Sequence, residues 1–310
     1  MQERTAWLEA RRQGLGGSDV AAVLGLSKWR GPMDVWAEKR GLAEDQGENY
    51  AMMRGRILES AVADWYEEIS GANLEEGPPM PISGPEAWML GSPDRYAITE
   101  KEGRYGLEIK TARSCDDWGQ DGSSMIPVYY ATQVAWYMAC TDIDRWDVAV
   151  LFMMNDEFRR YTILRDSEVE KKLISSCRQW WNKHIVDGNP PPVDGSSAAS
   201  KYLQQKFPTA SQELRKTNPD ETNIVFDLYE VNEQLKLLKD KKSRLENQIK
   251  EVIGENEGIW NDWGKITWKL NKGRSTIDTK RLKDEAPEVA EKFTRTSEPS
   301  RVFRATIIGR

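Results

Sequence analysis

Apolar residues recur with three different spacings along this chain, and each spacing predicts a different kind of element. Near the N-terminus the spacing is helical. Arg4–Leu24 reads as a short helix, a glycine-rich turn at Gln13–Gly17 and a second helix carrying Val20, Val23 and Leu24, with Ser18 or Asp19 as its cap. Pro32–Arg40 reads as a helix that opens on proline and stops at Gly41. Met52–Ile69 reads as a longer amphipathic helix, with Met53, Ile57, Leu58, Ala61, Trp65 and Ile69 on its apolar side and Gly71 as its stop.

The middle of the chain shifts to the strand period of two. Trp88–Leu90, Arg95–Thr99 and Tyr105–Thr111 read as strands, the last two joined by the polar turn Glu100–Gly103. A helix over Pro127–Cys140 places Val128, Ala131, Val134, Ala135 and Met138 on one side. Strands at Arg145–Met154 and Phe158–Leu164 follow, then a helix over Ser167–Ile185. This order predicts an α/β (α+β) fold with a central mixed β-sheet flanked by helices. The proline-rich Asp187–Ser200 marks a boundary, so the expected division is 1–188 as one domain, 189–220 as linker and 221–310 as an extension.

Beyond the boundary the spacing changes to a heptad. Ile224, Leu228, Val231, Leu235, Leu238, Leu245, Ile249 and Val252 follow in steps of four and three, interrupted only by Lys242. This is a long helix, folded back on its own chain or paired with a partner helix. Gly258–Leu270 then reads as a hairpin around Asn261-Asp262-Trp263-Gly264.

Composition narrows the chemistry. With 39% hydrophobic and 30% charged residues among 310, the chain reads as a soluble globular protein, and no apolar run approaches membrane-spanning length. A cytoplasmic location and no membrane partner are expected. A single histidine, His184, leaves little room for histidine-based hydrolysis or zinc binding. Cys115, Cys140 and Cys177 are scattered and read as reduced, mostly buried thiols, too few for a four-thiolate iron–sulfur set. Carboxylates are left to carry any metal chemistry. The net charge of −6 argues weakly against a nucleic-acid partner, but steering depends on local potential, and basic clusters occur at Arg11-Arg12, Lys28–Arg30, Arg54–Arg56 and Lys265–Lys283. In the last region Lys265, Lys269, Lys272, Arg274, Lys280, Arg281 and Lys283 are either phosphate contacts or an ordinary solvated face. Trp29, Trp36, Trp65 and Trp136 are expected to pack in the core, whereas Trp118, in a polar loop, is a candidate for stacking on bases.

The strongest candidate site lies in Gly91–Lys110. Asp94 follows a Ser-Pro turn, and Leu107-Glu108-Ile109-Lys110 alternates so that Glu108 and Lys110 share one strand face while Leu107 and Ile109 bury the other. Asp94 and Glu108 can hold Mg²⁺, the Ile109 carbonyl can complete its shell, and Lys110 can orient or help deprotonate a water. That is chemistry suited to a phosphodiester, whose own negative charge repels nucleophiles.

These residues match the PD-(D/E)xK nuclease pattern, with Pro93-Asp94 as its first pair. Gln133-Val134-Ala135-Trp136-Tyr137 matches the Q-x-x-x-Y signature of one branch of that superfamily. Met53–Glu59 resembles its acidic helix, and Trp7–Ser18 resembles the opening W-x-x-x-R followed by a glycine turn and serine. Together they are similar to the YqaJ-like viral recombinase family, to which phage lambda exonuclease is related, over roughly residues 4–164.

The resemblance implies a restriction-endonuclease-like core with a C-terminal long helix and hairpin added. It implies a metal-dependent 5′→3′ exonuclease that releases 5′-mononucleotides from double-stranded DNA ends. It also implies two Mg²⁺ ions (Mn²⁺ substituting), a homotrimer, a single-strand annealing protein as partner, and a phage or prophage origin in a bacterial host. On the residues, it implies Glu59 as a further metal ligand or water holder and Gln133 beside the metal-bound water, with Tyr137 supporting it. Arg11 and Ser18 would hold the terminal 5′-phosphate, with Arg12 as the adjacent alternative. An endonuclease of the same superfamily and a non-catalytic DNA-end-binding protein are the alternatives.

Overall fold

A computed structural model describes residues 2–43, 47, 49–211, 213–273, 275–295 and 301–307. The chain divides into two compact units, Met1–Gln205 and Lys206–Arg310.

In the first unit, α1 (Gln2–Arg12) leads through the two-residue strand β1 (Leu15–Gly16) into α2 (Gly17–Val23), α3 (Pro32–Lys39) and α4 (Tyr50–Ser70). Then come β2 (Asn73–Glu76), β3 (Ile82–Ser83), β4 (Met89–Gly91), β5 (Arg95–Thr99) and β6 (Gly103–Ala112). Next are α5 (Val128–Thr141), β7 (Arg145–Phe152), β8 (Glu157–Leu164), α6 (Ser167–Trp181), a π-helical turn (Asn182–Val186) and α7 (Ser197–Lys206). The central sheet runs β2-β5-β6-β7-β8, and all pairs are antiparallel except β6–β7. The expected mixed sheet flanked by helices is the one observed.

Two cores lie on opposite faces of this sheet. On one, Leu107 and Ile109 of β6 and Ala149 of β7 pack against Val62, Ala63 and Tyr66 of α4. On the other, Trp146, Val148, Val150 and Phe152 of β7 pack with α2, α3, α5 and α6. Each fully buried large aliphatic side chain here contributes about 1.5–3 kcal/mol. Both faces of β6 are therefore covered, and Glu108 is as deeply buried (1% exposed) as the apolar residues beside it. Gly106 is obligatory for this packing, because a Cβ there would sit 2.2 Å from the Trp146 indole.

A small second sheet, β1-β4-β3, fastens the N-terminal turn. Leu15 and Gly16 pair in parallel with Met89 and Leu90, and the Trp136 indole N–H donates to both the Leu15 and Leu90 carbonyls (3.2 and 3.0 Å).

Several expectations need correction. The apolar side assigned to α4 is largely exposed, with Ile57, Trp65 and Ile69 at 60%, 43% and 52%. The helix buries against the sheet along the narrower stripe of Val62, Ala63 and Tyr66, with half-exposed Trp65 stacked on Phe158 at its edge. Trp36 and Trp136 are buried as expected, but Trp29 is 66% exposed. Trp118 is not an open stacking platform: its ring packs among Tyr130, Phe152 and Tyr161. Part of the expected linker 189–220 forms α7, whose Ala199 is buried and whose Tyr202 meets Trp36 edge-on at 5.2 Å.

In the second unit, α8 (Pro219–Ile253) starts at an Asn218–Glu221 capping box and ends at Gly254. The hairpin β9 (Gly258–Asn261) and β10 (Gly264–Thr267) follows as expected, then α9 (Thr279–Glu285) and α10 (Pro287–Lys292). Six of the eight heptad residues of α8 stay largely in solvent, from 46% at Leu235 to 70% at Val252, while Leu228 and Ile249 are half-buried. Of the basic residues singled out in the tail, Lys269 pairs with Glu257 and Arg281 with Glu285, while Arg274 lies outside the described residues.

Candidate active site

The backbone itself brings Asp94 to Glu108. The antiparallel ladder between β5 and β6 ends at the pair Arg95–Leu107. One residue further out, the Asp94 carboxylate replaces a backbone partner, and its Oδ2 accepts from the Ile109 N–H at 2.8 Å. Asp94 is thereby held beside the strand that carries Glu108 and Lys110.

Glu108 lies between β6 and α5. Its Oε1 accepts from Lys110 Nζ and from Gln133 Nε2 (2.6 Å), and Gln133 Nε2 also donates to the Tyr137 hydroxyl (3.0 Å). The Gln and Tyr of the Q-x-x-x-Y signature are one helical turn apart and meet for that reason. Glu108 Oε2 is buried and has no hydrogen-bond partner among the described residues. Burial, reinforced by the charge of Asp94, pushes the Glu108 carboxyl up to about 8, against the opposing pull of Lys110. Burial draws Lys110 downward, but Glu108 and Asp94 outweigh it and hold the ammonium proton above its ordinary range. Burial, with Glu108 and Asp94, also keeps the Tyr137 hydroxyl neutral.

A divalent cation fits this pair. A buried carboxylate oxygen without a donor, next to a second carboxylate, is stabilised by a cation more than by a proton. The wider set is less complete. Glu59, on α4, accepts from Arg95 (3.0 Å), and that arginine also pairs with Glu76 (3.1 Å) and donates to the Asp94 carbonyl (2.6 Å). Burial and then Asp94 push the Glu59 carboxyl up, so the two acids feel each other. No group of three acidic, histidine or cysteine ligands is gathered among the described residues. Asp94 and Glu108 come together; Glu59 stands beside them, committed to Arg95.

The N-terminal motif forms a second charged centre. Arg11 Nη2 donates to Ser18 Oγ (2.8 Å) and to Asp19 Oδ1 (3.0 Å). Ser18 therefore receives the arginine and is not the helix cap. The cap bond runs from the Gly16 N–H to Asp19 Oδ2 (3.0 Å). Asp19 is completely buried and also meets Arg30 (3.1 Å) and the buried Lys39 (2.7 Å), which in turn donates to the Arg11 carbonyl (2.9 Å). Burial alone would push Asp19 up; Arg11, Lys39 and Arg30 outweigh it and hold the carboxylate well below its usual range. Asp19 raises Arg11 in return. Arg12, the alternative anchor, is exposed.

The two centres adjoin. A cleft of about 140 Å³ is lined by Arg11, Gly16, Gly17, Ser18, Ser92, Gln133 and Tyr137, among others. Gly17 lies directly on the Tyr137 ring, where a Cβ would come within 2.6 Å. The sequence reading missed Asp19, Arg30 and Lys39 as members of the charge cluster. Asp19 was read only as a helix cap and Arg30 only as part of a basic cluster, and no local spacing links either of them to Lys39.

Residues 6–144 match the YqaJ-like viral recombinase domain. The uncharacterized protein YqaJ of Bacillus subtilis strain 168 is 31% identical over 297 residues, covering 93% of this chain and 90% of that protein. Among solved structures, an alkaline exonuclease from Laribacter hongkongensis is similar with a TM-score of 0.49 and 20% identity, covering 65% of this chain and 97% of that one. A phage-related exonuclease from Haemophilus somnus 129PT gives a TM-score of 0.42 and 11% identity, covering 57% and 96%.

Proposed function

The chain belongs to the YqaJ-like viral recombinase family, and from that premise we propose that it is a metal-dependent 5′→3′ exonuclease on double-stranded DNA. Family and site together support a nuclease acting in recombination. The finer reading is that it digests one strand from a 5′-phosphorylated end and leaves a 3′ single-stranded overhang for an annealing protein. A homotrimer, releasing 5′-mononucleotides in the cytoplasm of a phage-bearing bacterium, completes this reading. No helix among the described residues is long and apolar enough to cross a membrane.

One observation carries the proposal. Arg11 and Ser18, which suit a terminal phosphate, line the same small cleft as Gln133, which bonds Glu108. A planar guanidinium matches a phosphate's oxygens, and the adjoining turn before α2 adds backbone N–H groups. A strand end anchored there would lie next to the carboxylate pair.

Asp94, Glu108 and the Ile109 carbonyl would hold Mg²⁺, with Glu59 joining on release from Arg95. When bound, the metal neutralises developing phosphate charge and lowers the pKa of a water. Lys110 keeps its proton in this environment, so its role is to donate a hydrogen bond to the water or a phosphate oxygen. Gln133 fixes Glu108 through its amide N–H, and Tyr137 fixes Gln133.

The deciding experiment offers a 5′-phosphorylated linear duplex, its 5′-hydroxyl counterpart and a covalently closed circle, each with Mg²⁺. Progressive shortening of the phosphorylated duplex alone is expected; efficient cutting of the circle would overturn the exonuclease reading. Arg11→Ala should erase the preference for phosphorylated over hydroxyl ends, and an unchanged preference would remove Arg11 from the anchor role. Mass measurement with and without DNA tests the trimer.

A further inference from the structure

The nuclease reading leaves a larger cleft unused. It measures about 540 Å³, and its walls include Trp7, Arg11, Arg12, Trp29, Arg30 and Lys201. That volume lies within the range of ligand sites. Arg11 stands in both clefts, so the two share a wall.

We propose that this larger cleft binds unpaired nucleotides of a DNA strand, with a base stacked on Trp29 and phosphates held by Arg30 and Arg12. The proposal rests on the nuclease reading only for the choice of DNA as ligand. Three observations carry it.

The first is Trp29. Its indole is 66% exposed, yet it is braced from behind. Tyr129 meets it edge-on at 4.8 Å, and Tyr130 lies 6.3 Å away. A large aromatic surface held by other aromatics and open on its outer side is a stacking platform with little rotamer freedom left to lose.

The second is its position. The Tyr130 ring that supports Trp29 lies 5.4 Å from Lys110 Nζ. The platform therefore begins one aromatic ring away from the carboxylate–lysine centre, and a strand cut there can continue onto it.

The third is charge. The walls carry four cations (Arg11, Arg12, Arg30 and Lys201) against two carboxylates, Asp34 and Glu38, in a chain of net charge −6. Both carboxylates are committed: Asp34 accepts from the Gly31 N–H at 2.9 Å, and Glu38 is paired with Arg30 and with Arg11. Arg30 is clamped between Asp19 and Glu38 but remains 30% exposed, so its guanidinium is oriented before any ligand arrives. The interior of a paired duplex would offer phosphates to these groups but no free base face to Trp29, since each base there is stacked on both sides. Unpaired nucleotides use both.

The test measures anisotropy of a short fluorescein-labelled oligothymidylate with the full-length protein in EDTA, where no cleavage can occur. Trp29→Ala should weaken binding about tenfold, the effect of losing one stacked base. Trp29→Phe should recover most of it. Trp65→Ala serves as the control, an exposed tryptophan stacked on Phe158 at 5.1 Å on the α4 side of the sheet, and should change nothing. Arg12→Ala should lower the slope of log affinity against log salt by about 0.7, the value for one single-strand phosphate contact. Equal effects of Trp29→Ala and Trp65→Ala, or an equal loss of blunt-duplex binding in Trp29→Ala, would overturn the proposal. Failure of the nuclease reading would look different: no Mg²⁺-dependent cleavage by the unaltered protein, with oligothymidylate binding still sensitive to Trp29.

Discussion

Asp19 and Glu108 are both carboxylates sealed inside the first unit, and their surroundings drive them in opposite directions. Asp19 meets three cations and a backbone N–H, and its charge is held more firmly than in water. Glu108 has one ammonium and one amide on Oε1, a second carboxylate nearby, and no partner among the described residues on Oε2. Burial is common to both, so it does not distinguish them. What differs is whether the fold itself supplies the compensating charge. At Asp19 it does, and the residue locks Arg11, Arg30 and Lys39 in place. At Glu108 the compensation is incomplete, and a divalent cation would complete it.

The most severe way to break this contrast is to remove Glu108. Glu108→Ala should lower cleavage about a thousandfold, equivalent to about 4 kcal/mol of lost charge stabilisation. Its thermal unfolding should shift by much less than that of Asp19→Asn, because Asp94 remains beside Lys110 as a counter-charge. A large drop in melting temperature would mean that Glu108 is a structural group like Asp19.

Asp19→Asn should show the reverse profile, a loss of about 3–5 kcal/mol in denaturant unfolding, because it strands the buried Lys39 without its counter-charge. The pH dependence sharpens it. A carboxyl held below its unfolded value of 3.8 contributes stability that is present above that pH and is lost as pH falls through and below it. The acid limb of the unaltered protein should therefore be steeper than that of Asp19→Asn.

The smallest expected effect comes from adding metal. Mg²⁺ or Mn²⁺ at a hundredfold excess over its dissociation constant should raise stability by about 2.7 kcal/mol. The shift should be absent in Glu108→Gln. The sign with pH follows from Glu108: its carboxyl is pushed up to about 8, so the cation has to displace a proton below that pH. The melting shift should be larger at pH 9 than at pH 6.5; the opposite trend would place the cation elsewhere.

How far the sequence foretold this depends on the range of the interaction. β5 was legible to the residue, because alternation and a polar turn are local signals. Glu108 and Lys110 sharing a face, and Gln133 meeting Tyr137, follow from strand and helix periods alone. The strands β1 and β3 have two residues each, too short to show any period. The face of α4 was misjudged because periodicity reports which residues are apolar, not how wide a surface the sheet offers them. Trp118 was read as exposed from its polar neighbours, but Tyr130, Phe152 and Tyr161 close around it from three separate elements. The Asp19 cluster draws cations from α1, α3 and the loop between α2 and α3, and no local pattern encodes such a convergence.

The contact between Gly17 and the Tyr137 ring has a genetic consequence. The two residues are distant in the chain but share one volume, and the bonds behind them run from Tyr137 to Gln133 to Glu108. An added methyl at position 17 would therefore be felt at the carboxylate, with no catalytic group altered. A search for suppressors of Gly17→Ala should return smaller side chains at position 137, so that two motifs recognised separately in the sequence are inherited as one.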